Sequence, residues 1–177
     1  KNDKIGSKFQ APAGVTRTKF DPARIESSTV DLTEKSLRDS LYDNKINPIY
    51  AVTGQGLAIF GQKNLQQAST LLDRVNVRRL LIDIRRKVKD IGDQFLFEPN
   101  RQETLDKLTP LVEAKLQAIK SAGGLVRFKV IIDSTTTTQA DIENNTLRGK
   151  IFVQPTTVAE FVSLDFVLSN AGNFNDV

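Results

Sequence analysis

Residues 71–100 read LLDRVNVRRLLIDIRRKVKDIGDQFLFEPN, and their spacing predicts one long amphipathic helix. Val77, Leu81, Ile84, Val88, Ile91 and Phe95 recur at alternating steps of four and three, which lines them along one helical face that must be buried. The other faces carry Arg74, Arg78, Arg79, Arg85, Arg86, Lys87 and Lys89 against Asp73, Asp83, Asp90 and Asp93, an excess of positive charge on a single element. Pro99 closes the element, because the residue ahead of a proline is pushed out of the α region.

Downstream, a second helix is expected. Asn100 is placed to cap it, and Glu103 stands in the position of a capping-box acid. Leu105, Leu108, Val112, Leu116 and Ile119 form its apolar stripe. Pro110 lacks a backbone donor and predicts a kink or a short break. Gly123 and Gly124 supply a left-handed stop. From Leu125 the period becomes that of a strand, with Val126, Phe128, Val130 and Ile132 on one face and Arg127, Lys129 and Ile131 on the other. Residues 134–145 are rich in Thr, Asn and Asp and read as a loop. Asp133, Asp141 and Glu143 do not have the spacing of a calcium loop, so no metal is assigned to them. Two further strands are expected. In the first, Leu147, Gly149, Ile151 and Val153 alternate with Arg148, Lys150, Phe152 and Gln154 until Pro155. In the second, Val158, Val162, Leu164, Phe166 and Leu168 share a face, and Glu160, near its start on that face, needs a partner if buried.

Upstream, residues 1–30 are polar, with scattered apolar side chains, and cannot hold themselves in place; they read as an arm that lies over the domain or reaches another subunit and contributes nothing to the core. Thr33 is a fair cap for a short helix through Leu37 and Leu41 that closes near Asn44. Residues 49–62 are strand-like, broken at Gly54 and Gly56, and GQGLAIFG matches neither glycine fingerprint of nucleotide sites. The fold class is therefore α+β: a small mixed β-sheet covered on one face by two long helices, with extended N- and C-terminal arms. The expected division is an arm at 1–30, an α+β body at 31–169 and a tail at 170–177.

Composition narrows the chemistry. The 177 residues carry a formal charge of +4 and contain no cysteine, histidine or methionine. The absence of cysteine and histidine excludes disulfides, thiolate nucleophiles, His-ligated metals and imidazole catalysis. No apolar run approaches the roughly 20 residues of a membrane span, so the protein is expected to be soluble and intracellular, with no membrane partner. The lack of methionine marks the sequence as a fragment or a processed piece. An enzyme would need paired carboxylates or a Ser-Lys arrangement, and no acidic pair stands clear of an ordinary surface.

The basic helix admits two readings. One is a solvated face balanced by local acids, such as Asp83 with Lys87 four residues on. The other turns the flank of Arg74, Arg78, Arg85 and Lys89 toward an acidic partner. The second helix, with Arg101, Lys107, Lys115 and Lys120, is an equally basic competitor for that contact. A nucleic-acid-binding module is the alternative function, since a basic helix beside a half-basic strand is a plausible phosphate footprint. Against it, the net charge is small and the aromatics are mostly phenylalanines at core positions.

Seven segments, taken in order, carry a resemblance. They are PAGV at 12–15, LYDNKINPI at 41–49, GLAIFGQKNL at 56–65, LDRVNVRRLLIDIRRKV at 72–88, FLFEPN at 95–100, GGL at 123–125 and QPTTVAEFVSLDF at 154–166. Together they resemble the C-terminal region of contractile phage tail sheath proteins, the family that includes the sheaths of R-type pyocins and type VI secretion systems. Phe60-Gly61 stands where that family usually has Trp-Gly, and Asn64 where it usually has Thr. The resemblance implies a structural subunit with no cofactor and no nucleic-acid partner. Such subunits form six-fold rings around an inner tail tube and exchange arms with other copies of themselves. They also meet baseplate and tail terminator proteins, and they contract to drive the tube through a target envelope. It implies residence in the virion after assembly in the host bacterial cytoplasm. On this reading the candidate tube or inter-subunit contacts are Arg74, Arg78, Arg85, Lys89, Arg101 and Lys107.

Overall fold

The computed structural model describes residues 7–20, 34–52, 54 and 56–160. The expected last strand beyond residue 160, the tail at 170–177 and the Thr33 cap lie outside the described residues. In chain order the elements are β1 (Lys19–Phe20), α1 (Lys35–Asp43), β2 (Ile49–Val52), β3 (Gly56–Ile59), α2 (Val75–Gly92), α3 (Gln102–Ser121), β4 (Leu125–Ile131), α4 (Gln139–Glu143) and β5 (Lys150–Pro155). The α+β class holds. The described strands form two antiparallel sheets, β1-β3-β2 and β4-β5, in place of the single mixed sheet expected.

The core forms where the stripes of α2 and α3 meet each other and β4. Leu80, Ile84 and Ile91 of α2 pack with Leu105, Leu108, Val112, Leu116 and Ile119 of α3 and with Leu125 and Ile132. All five residues of the expected α3 stripe are buried. On α2, Val77, Ile84 and Ile91 are buried as expected, whereas Leu81, Val88 and Phe95 are half-buried and Leu80 takes the deepest place. The stripe is rotated because α3 packs on α2 from the Leu80 side.

The long helix is shorter than its sequence suggests. Leu71–Asp73 is a single 3-10 turn, and Arg74 is extended. The cause is tertiary: this stretch pairs with the chain after β3, with Asn64 N–H donating to Asp73 C=O (2.8 Å) and Val75 N–H to Gln62 C=O (2.8 Å). The far end also stops early, at Gly92, followed by a second 3-10 turn at Asp93–Phe95.

Three local expectations need correction. Asn100 does not cap α3; Arg101 holds that position without a side-chain bond, and the Asn100 amide donates instead to Thr146 C=O (3.0 Å). The helix runs through Pro110 without a break, and Pro110 sits on its exposed side, where water can satisfy the carbonyl left unpaired. The stretch taken as loop contains α4, started by a capping box in which Thr138 and Asp141 bond each other's backbone N–H.

On β4, Phe128, Val130 and Ile132 face the core as expected, and only Val126 departs from that face. Leu125 opposes Pro155 and Arg127 opposes Gln154, so Val126 is the extra residue of a bulge. Leu125 therefore points inward, and Val126 is exposed.

The expected arm is partly built into the body. Phe9 packs against the core, Ala11 and Thr18 are buried, and β1 pairs with β3. Gly14 N–H donates to Ile59 C=O (2.9 Å). Residues 7–20 thus contribute to the core, contrary to expectation, because β3 and the α2–α3 pair leave an edge and a groove that one short polar segment can cover. Gly123 has φ +84°, the left-handed stop that ends α3. At Gly124 a Cβ would come within 2.6 Å of the Phe9 ring, so only glycine lets the segment lie this close.

Candidate functional site

The charged side chains of α2 sort into an inward set and an outward set. Asp83 faces inward, its side chain 8% exposed, and holds Lys87 at 2.7 Å and Lys8 of the N-terminal segment at 2.5 Å. The expected Asp83–Lys87 pair exists, but around a buried carboxylate and not on a solvated face. Burial alone pushes the Asp83 carboxyl up; the hydrogen bonds and charges of Lys8 and Lys87 outweigh it and hold the group below the usual carboxylate range. About two turns away, Asn76 is buried and donates to Phe9 C=O (3.2 Å).

Arg74 belongs to the inward set. Its guanidinium meets Asp73 at 2.8 Å and Glu160 at 2.8 Å. Glu160 also accepts from Gln62 Nε2 (2.9 Å) and from the Tyr42 hydroxyl. Burial, then the bond to the Glu160 carboxylate and its charge, pushes the Tyr42 phenol well up. The partner that Glu160 needs is thus supplied by three residues, from α1, the chain after β3 and the start of α2. They anchor the chain where it leaves β5. Beside this anchor lies a groove of about 600 Å³. Its wall includes Gln62 and Asn76, whose buried Oε1 and Oδ1 have no hydrogen-bond partner among the described residues.

The outward set forms a row. Arg78, Ile82, Arg85 and Lys89 follow one another at steps of four, three and four and are all exposed, Ile82 at 63%. Lys89 is bonded to Asp93 at 2.6 Å, which raises its ammonium above the ordinary lysine value. Among the described residues Arg78, Arg79, Arg85 and Arg86 have no ion-pair partner. Arg101, at the start of α3, and Lys107 are exposed but about 120° apart around the helix, so they share no face. Of the six candidate contacts the fold brings Arg78, Arg85 and Lys89 into one line, commits Arg74 internally and scatters the other two. The Arg74–Glu160 and Lys8–Asp83 pairs were not found by sequence reasoning, and apart from the unpartnered acid at 160 no local pattern points to them.

The acids of the former loop are local structural groups. Asp141 accepts from Thr138 and Arg148, whose hydrogen bonds lower its carboxyl to about 2. Asp133 accepts from Thr135, which lowers it too. No helix among the described residues is long and apolar enough to cross a membrane.

Comparison with known proteins gives concordant results. Residues 67–169 match the family described as phage tail sheath C-terminal domain. The tail sheath protein of Vibrio phage KVP40 is 31% identical over 168 residues, covering 95% of this chain and 25% of that protein. The tail sheath protein of Enterobacteria phage T4 is 27% identical over 172 residues, covering 97% of this chain and 26% of that protein. The chain thus spans about a quarter of the length of these relatives. Two cryo-EM structures share the fold with TM-scores of 0.81. One is the six-fold symmetrised baseplate of the anti-feeding prophage, at 21% identity over 96% of this chain and 47% of the other. The other is the contracted PVC sheath complex of an extracellular contractile injection system, at 24% identity over 95% and 48%. The matches give the nucleic-acid alternative no support.

Proposed function

The chain belongs to the phage tail sheath C-terminal domain family, and on that premise we propose that it is a structural, non-catalytic part of a contractile tail sheath. Copies polymerise around an inner tube, and the polymer shortens to drive that tube through a target envelope. The observation that carries this reading is the family match across α2, α3, β4 and β5, the elements that hold the core.

The geometry supports it in two ways. The β4–β5 sheet has only two strands, so among the described residues both of its outer edges are open to strand addition from arms of neighbouring copies. The outward row of Arg78, Arg85 and Lys89 faces solvent and fits an acidic partner surface, that of the tube or of an adjacent copy, with Arg101 and Lys107 as separate secondary contacts. Exposed charges of this kind orient and speed association and are weakened by salt, which suits a contact that must release. The further partners of this reading are the baseplate and tail terminator proteins, and its setting is the virion after assembly in host cytoplasm.

Electron microscopy of the full-length protein tests the proposal. Rings or tubes are the expected result. Folded full-length protein that never forms them, alone or with its tube protein, overturns it.

A further inference from the structure

The two ends of α2 carry complementary surfaces that cannot meet within one copy. At the C-terminal end, Leu96 and Phe97 project from the turn between α2 and α3, and Phe97 is fully exposed at 103%. Phe97 also has φ +69°, a left-handed conformation that a bulky L-residue rarely adopts. The backbone therefore holds an aromatic ring outward where no described residue covers it. Glu98 follows, exposed and without a partner among the described residues.

At the N-terminal end lies a groove of about 590 Å³ lined by Asn64, Leu65, Gln66, Val75, Arg78 and Arg79. Leu65 is 81% exposed and Val75 is half-buried, so the wall offers apolar surface to a ring. Arg78 and Arg79 are unpaired among the described residues, and the positive end of the α2 dipole adds to their field. The groove thus presents apolar wall and unpaired cation, while the knob presents apolar ring and unpaired carboxylate. The 18 residues of α2 separate the two by about 27 Å along the axis.

We propose that copies of this chain associate head to tail, the Phe97 ring of one copy seating in the Leu65–Val75 groove of the next, with Glu98 against Arg78 and Arg79. Each copy gives one knob and receives one, so the contact is heterologous and propagates into a ring or helix. The inference rests on the sheath reading in taking a second copy as the partner, and it assigns the N-terminal end of the outward row to that copy.

A photoreactive benzoylphenylalanine at position 97 of the full-length protein keeps an aromatic knob in place. Illumination should give a covalent ladder beyond the dimer, with cross-links mapped by mass spectrometry to 64–66 and 75–79. Cross-links that map elsewhere, to the tube protein for example, or no ladder at all, overturn the contact. Microscopy of the same sample separates the two claims. Tubes without the ladder remove only the contact, whereas absence of tubes from unmodified protein removes the sheath reading, and the ladder still decides the contact. Independently, Glu98→Arg, or Arg78→Glu with Arg79→Glu, should weaken association roughly tenfold, and the combined swap should recover most of it. Losses that merely add in the combined variant overturn the pairing.

Discussion

The two long helices, α2 and α3, lie against each other and share one core, yet they are used differently. Every buried residue of α3 is apolar: Leu105, Leu108, Val112, Leu116 and Ile119. The buried residues of α2 include Asn76 and Asp83 beside Val77, Leu80, Ile84 and Ile91. The polar pair is explained by what crosses α2, since Asn76 and Asp83 hold Phe9 and Lys8 of the N-terminal segment. Its opposite side carries the basic row. One helix packs; the other packs, clamps and presents. On the sheath reading proposed above, a subunit that assembles with its own kind needs both, and here they are adjacent in sequence.

The comparison can be broken most forcefully at α3. Leu116→Ala removes a side chain that is 1% exposed and surrounded by the α2–α3–β4 core, and should lower unfolding free energy by about 2–5 kcal/mol. Chemical denaturation measures it, and a loss below about 1 kcal/mol would mean that the stripe does not carry the packing.

Asp83→Asn probes the clamp on α2 and should cost less, about 1–3 kcal/mol at neutral pH, as expected for charged hydrogen bonds. The sign of its pH dependence follows from the depressed carboxyl. That stabilisation is present in full above the unfolded value, near pH 3.9, and fades as pH falls through the lower folded value. The gap between wild type and variant should therefore narrow below about pH 4. A gap that stays constant into acid would show that Asp83 acts by shape and not by charge.

Arg85→Glu with Lys89→Glu should be the mildest for the fold, within about 0.5 kcal/mol of wild type, because both side chains are exposed and, among the described residues, only Lys89 has an ion-pair partner, Asp93. Their effect should appear in assembly: co-sedimentation with purified tube, or tube-templated polymerisation, should fall and should become less salt-dependent. A large stability loss with unchanged assembly would reverse the roles given to the two faces of α2.

Much of this was legible from residue order. The α3 stripe was read residue for residue, since 3.6-residue periodicity is a property of consecutive positions and needs no partner to be seen. The same logic placed Arg78, Arg85 and Lys89 on one face, and it flagged Glu160 as an acid in search of a partner. Where the reading failed, a distant segment had intervened. Arg74 left the row because Glu160, far along the chain, lies beside it. Val126 turned outward because a bulge in the pairing with β5 shifts the register. Asn100 gave up its cap to reach Thr146. The α4 helix escaped for a local reason, as its Thr138–Asp141 box was present but Ile142 alone could not make a periodic face.

Sequence by itself determined the two long helices and the strands β4 and β5, the α3 stripe, the basic excess on α2 and the resemblance that the family match bears out. Only the tertiary structure decided where α2 begins and ends, which charges are consumed internally, that Val126 turns out of the β4 face and that residues 7–20 belong to the packed body. The reason lies in the range of the forces. Helix and strand periodicity are fixed by covalent neighbours, whereas ion pairs such as Lys8–Asp83 and Arg74–Glu160 depend on which segments folding brings within a few ångströms of each other.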